Sequence, residues 1–115
     1  MPKSDRTRVR HMLEAAKEAM KSASEHTRDD LDTDLVWALG VVKCIEIIGE
    51  AAARMEKETK KRNPQIPWAQ IVAMRNRLVH LYFDIDPDQV WNALTEDLPP
   101  LVTELQRLLE KDPFP

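Results

Sequence analysis

The chain has 115 residues, 43% of them apolar and 32% charged, with only two glycines; that fits one domain with a modest core and argues against disorder. β-rich chains need more turns and more glycine, so an all-α fold is expected. A net charge of −3 excludes coating nucleic acid through bulk charge, and any such contact needs a local basic patch.

The first helix is expected from just after Ser4 to about Ser24, with Val9, Met12, Leu13, Ala16 and Met20 at helical spacing and charged residues opposite. Ser22 to Asp30 reads as a polar connection. Thr27, Asp29, Asp30 and Asp32 offer N-caps for a long second helix, expected from about Asp32 to Lys61. The first half of that helix is apolar on nearly every side, from Leu35 to Ile48. A helix apolar all round is buried all round, and one small chain can hardly cover it, so a homodimer is expected. The longest apolar run, Leu35 to Val42, has eight residues, against roughly 20 for a membrane span. No membrane association is expected. No segment reads as a signal peptide, which predicts a cytoplasmic protein. Cys44, alone, has no internal disulfide partner and is expected as a buried, inert thiol.

Asn63-Pro64 ends the long helix, and Pro67 opens a third that runs to about Tyr82. Asp86-Pro87 opens a fourth, to about Glu96. Pro99-Pro100 is expected to break or kink the chain before a last helical piece, Leu101 to Glu110, with Leu101, Leu105, Leu108 and Leu109 on one side.

The third helix carries an anomaly. At about 100° per residue, with Arg75 at zero, Ile71, Val72, Leu78, Val79 and Tyr82 all fall within about 60° of it. Arg75 is therefore expected on the apolar face, where a lone charge is costly unless paired. Glu46 and Glu50, one turn apart beside Gly49, could pair with it as a buried staple, unless Arg54 satisfies Glu50 instead. Otherwise its partner is an anionic ligand. His80 lies about 140° round from Arg75 on a straight helix, so the two converge only if the helix ends near His80 or two chains face each other. His11 and His26 are expected as surface or otherwise satisfied side chains.

No Cys/His metal-ligand spacing, glycine-rich phosphate loop or Ser/His/Asp arrangement is present, and Asp29, Asp30, Asp84, Asp86 and Asp88 read as caps and turn residues. No metal or cofactor is expected. Lys57, Lys60, Lys61 and Arg62 read either as a solvated helix end favoured by the helix dipole or, with Arg77, as a local patch for RNA.

Arg75-Asn76, three residues, His80, one residue and Tyr82 match the R-x4-H-x-Y signature of HEPN-domain ribonucleases, specifically the HepT toxin family. Three blocks also resemble that family: CIEIIGEAAARM (44–55), NPQIPWAQIVAMRNRLVHLYFDID (63–86) and VWNALTEDLPPLVTEL (90–105). The resemblance covers nearly the whole chain. It implies a HEPN-type bundle of four to five helices, homodimeric, that cuts RNA without a metal in a cleft at the dimer interface. It implies Arg75 as phosphate clamp, His80 as general base or acid, and Asn76 as a residue that positions the phosphate or orients His80. It further implies a type VII toxin–antitoxin pair, in which a minimal nucleotidyltransferase antitoxin adds AMP to Tyr82. A non-catalytic HEPN module that binds nucleotide or serves only as the nucleotidyltransferase's partner is the main alternative. A structural dimerisation protein with Arg75 as a staple is a third.

Overall fold

Helical periodicity in the first twenty residues places Val9, Met12, Ala16 and Ala19 on one line, and these are among the buried residues of α1, Lys3–Ala23. The structure, a computed structural model, describes residues 1–79 and 85–111, with only the backbone of Val79. After α1 come a single turn, α2 (Asp30–Thr33), then α3 (Leu35–Arg54), α4 (Lys57–Arg62), α5 (Trp68–Val79), α6 (Pro87–Asn92) and α7 (Leu98–Lys111). The described residues contain no strand, as expected for an all-α chain. No helix among them is long and apolar enough to cross a membrane. The expected helices are all found within the described residues, but three boundaries differ for physical reasons.

The long helix starts later than expected. Asp34, with non-helical φ −111° and ψ 89°, accepts a hydrogen bond from the Trp37 amide at 3.1 Å and is the cap of α3. Asp30 is used upstream instead, accepting from the Thr27 amide at 2.9 Å. α3 forms the centre of the bundle, with α1 and α5 packed along it and α7 against α1. Its buried line, Ala38, Val41, Val42, Ile45, Ile48 and Ala52, supplies much of the core.

The same helix also ends early. Met55 turns to extended backbone (φ −60°, ψ 139°), which buries its side chain and starts α4 afresh. The agent is Asp5, wholly buried in α1. Its carboxylate accepts from the Glu56 amide at 3.3 Å and from the Thr59 hydroxyl, and pairs with Arg8 at 2.8 Å. Asp5 thus caps α4 from another helix, and its own buried charge is satisfied by these donors.

Asn63-Pro64 closes α4 as expected. The Asn63 side-chain amide donates to the Thr59 carbonyl at 2.8 Å, and the Asn63 carbonyl accepts from the Trp68 indole at 3.1 Å. Pro67 then accepts the first helical bond of α5, from the Ile71 amide. The expected extension of this helix to Tyr82 lies outside the described residues.

Asp86 caps α6 by accepting from the Asp88 and Gln89 amides. Pro99-Pro100 does not break the chain. A π turn, Ala93–Asp97, follows α6, and the Leu98 amide reaches back five residues to the Ala93 carbonyl. Both prolines then fall in the first turn of α7, where no amide proton is required. Leu98, Leu101, Leu105 and Leu108 seal α7 onto the core, with Leu109 half-buried beside them.

Candidate functional site

α5 buries Trp68, Ile71, Met74 and Leu78. With Arg75 at zero, those four span from about +20° to about −100°, so the centre of the stripe lies about 40° away from Arg75. Arg75 is half-buried on the stripe's edge rather than at its middle. There α5 crosses α3 at Gly49: a Cβ built on Gly49 would overlap the Cβ and Cγ of Arg75 and come within 3.3 Å of its Cδ. The aliphatic stem of Arg75 therefore lies on bare helix backbone.

The charged end is held differently. Arg75 Nε donates to the Asn76 side-chain oxygen at 2.9 Å, at an exposed position. Among the described residues, no carboxylate is within 4.0 Å of the guanidinium. Glu46, expected as one partner, has Lys43 at 3.7 Å, and Glu50 is exposed. A buried staple with Glu46 or Glu50 is thus not formed, and Arg75 has no acidic partner among the described residues. With Nε engaged by Asn76, the two terminal nitrogens remain as a fork for a ligand oxygen pair.

His80 and Tyr82 lie outside the described residues. Arg77 points elsewhere: its Nε donates to the Gln89 side chain at 2.8 Å, and it borders a cavity of about 420 Å³ between α5 and α7, floored by Ile71, Met74 and Leu101. The basic residues of α4 do not join it. Lys60 borders a shallow hollow with Trp68 and Val72, whereas Arg62 pairs with Glu58 at 3.1 Å and borders another hollow with Leu108 and Lys111. Arg77, Lys60 and Arg62 thus border three different hollows.

Sequence reasoning missed two features. Arg8, His11 and Arg54 share a cleft of about 510 Å³ between α1 and α3 with the hydroxyls of Ser4 and Thr7. The spacing of Arg8 and His11 on α1 carried that signal, since residues three apart share a helix face. Asp5 was also missed, because what it caps is 51 residues away.

His26 is satisfied, as expected: it stacks on Trp37 with centroids 4.0 Å apart, and its Nδ1 lies 2.8 Å from the Ser22 carbonyl. Cys44 is half-buried rather than buried. Burial, and secondarily the charge of Glu18, raise its pKa, so the thiol is protonated at neutral pH.

One surface of α3 is unusual. Leu35, Val36 and Leu39 are 66%, 83% and 40% exposed, and a Cβ on Gly40 would meet nothing within 4 Å. Leu39 lies about 15 Å along the helix axis from Gly49 and about 80° round from it, so this apolar face and the Arg75 crossing share α3 about three turns apart.

The family model described as "Ribonuclease HepT-like" matches residues 12–108. "Probable ribonuclease HepT" of Thermococcus cleftensis is 34% identical over 100 residues, covering 84% of this chain and 91% of its own. "Putative RNase TTE0752" of Caldanaerobacter subterraneus subsp. tengcongensis is 27% identical over 110 residues, covering 96% and 98%. No solved structure matches the chain. The matched segment contains every helix from α2 to α6, the α3–α5 crossing and the Arg75–His80–Tyr82 motif, and the chain belongs to the HepT-like ribonuclease family.

Proposed function

We propose that this chain is a metal-independent endoribonuclease toxin, working as a homodimer and controlled by a nucleotidyltransferase antitoxin in a type VII toxin–antitoxin system. The observation that supports it most is the guanidinium of Arg75, seated on Gly49, tethered by Asn76 and lacking an acidic partner among the described residues.

A cation so placed suits an RNA phosphate. The 2′-hydroxyl of the substrate attacks phosphorus, His80 takes the proton or supplies one to the departing 5′-oxygen, and the P–O5′ bond breaks. The products are a 2′,3′-cyclic phosphate and a 5′-hydroxyl. Charge accumulates on the non-bridging oxygens, and the free fork of Arg75 stabilises it. Histidine's ordinary pKa lets it serve in either direction, for a contribution of roughly 10²–10⁴-fold.

The exposed apolar face of α3 supports a homodimer. A second copy covering Leu35, Val36 and Leu39 beside the α3–α5 crossing would place the two arginine sites near a shared groove. Arg77, Lys57, Lys60, Lys61 and Arg62 would supply the local basic patch that an acidic chain needs to hold RNA. For Tyr82, the antitoxin would transfer AMP from ATP to the phenol oxygen and release pyrophosphate. A new phosphate on a residue seven positions beyond Arg75 in sequence would occupy the cation and block RNA.

The test is RNA cleavage by purified, antitoxin-free protein in EDTA. Cyclic-phosphate and 5′-hydroxyl ends are expected, and they should vanish with His80→Ala. Folded wild-type protein that cleaves no better than His80→Ala would favour the non-catalytic partner module instead.

A further inference from the structure

Two glycines lie inside α3, and the structure uses them in opposite ways. Around Gly40 there is open space, but at Gly49 the space is taken by one side chain, that of Arg75. No glycine in the described chain has a positive φ, so Gly49 is not needed for backbone conformation. An interior glycine also weakens a helix relative to alanine. What Gly49 supplies is room.

The atoms a Cβ would strike are Cβ and Cγ of Arg75, with Cδ next. Cβ is fixed rigidly to the α5 backbone, so a rotamer change cannot clear it. A methyl group here must push α5 away from α3 or roll it about its axis. Either movement carries the guanidinium with it, and the Asn76 tether moves too, because both residues belong to α5.

We infer that Gly49 is a positioning residue for Arg75: its missing side chain sets how closely the arginine stem lies on α3 and hence where the phosphate-binding fork stands. This rests on the ribonuclease reading above. Gly49 touches no substrate in this account and acts only through Arg75. The separation matters because a reacting group displaced by about 1 Å can cost about 10²-fold in rate.

Two paired measurements test it. In the RNA cleavage assay, Gly49→Ala should lower kcat by about 10- to 100-fold, while KM, set mostly by other phosphate contacts, changes by less than about threefold. In thermal unfolding, Gly49→Ala should lower the melting temperature beside Arg75 but not in an Arg75→Gly background, where the struck atoms are gone. That second cycle also covers the case where Gly49→Ala alone fails to fold, since the Gly49→Ala/Arg75→Gly pair should then fold. A wild-type kcat in folded Gly49→Ala overturns the inference while leaving the ribonuclease reading intact. So does an equal loss of stability in both backgrounds. Wild-type protein that cleaves no RNA overturns the ribonuclease reading, and the catalytic part of the inference with it; the melting-temperature cycle still reports whether the seat exists.

Discussion

Arg75 donates its Nε proton to the side-chain oxygen of Asn76, the next residue on the same helix, at 2.9 Å. Neighbouring helix positions point about 100° apart, so the bond draws the guanidinium sideways across the surface of α5. Asn76→Ala should release it. A net hydrogen bond worth about 1 kcal/mol corresponds to about fivefold in rate. Asn76→Asp should be worse, because a carboxylate in the same place supplies a counter-charge that no described residue gives Arg75, and cleavage should fall by more than about tenfold. Steady-state cleavage of one RNA by the three proteins checks the order. An Asn76→Asp variant as active as wild type would show that the fork does not need its open charge.

Removing the Asp5 carboxylate should unfold the α1–α4 junction. Asp5→Ala leaves the Thr59 hydroxyl and the Glu56 amide without their acceptor and Arg8 without its pair. A loss of about 3 kcal/mol in urea unfolding is expected. A change under about 1 kcal/mol would mean that water replaces the cap at no cost.

A charge placed on the exposed face of α3 should separate subunits. Val36 and Leu39 are 83% and 40% exposed, so Val36→Glu or Leu39→Glu harms a lone subunit little. In sedimentation, wild type should run as a dimer and either variant as a folded monomer with reduced cleavage. A wild-type monomer would overturn the homodimer, and a variant that stays dimeric would place the interface elsewhere. Gly40→Ala offers a second check: in a free subunit it should add about 1 kcal/mol of helix stability.

Much of the fold was legible because its signals are local. The end of α1, the Asn63-Pro64 stop and the Asp86 cap each depend on a few adjacent residues, and all three stand as expected. The break at Met55 was hidden because its cause, Asp5, is remote in sequence. The doubled proline misled because a preceding π turn absorbs it, and nothing in the residues Ala93–Asp97 announces that turn. Arg75 and Asn76 were singled out by their motif, and a hydrogen bond joins their side chains. The tilt of the buried stripe was not legible, since Met74 is buried on its far side while Val72, which periodicity places with the apolar face, is only half-buried. His80 and Tyr82 lie outside the described residues.

Cys44 should react slowly with alkylating reagents. Burial and the nearby Glu18 charge raise its pKa, so the thiolate is scarcer than in a free thiol at any pH between 7 and 9. The rate of iodoacetamide labelling, followed by mass, should rise at higher pH than for a small-molecule thiol. Labelling as fast as the free thiol at pH 7 would contradict that environment.

The account depends most on Arg75 meeting an RNA phosphate. The direct measurement is the rate of RNA cleavage in EDTA by Arg75→Ala and wild type, with unfolding curves for both. The account predicts a rate loss of at least about 10²-fold with stability unchanged within about 1 kcal/mol. An Arg75→Ala protein that cuts at the wild-type rate, or one that loses several kcal/mol of stability along with its activity, would contradict it.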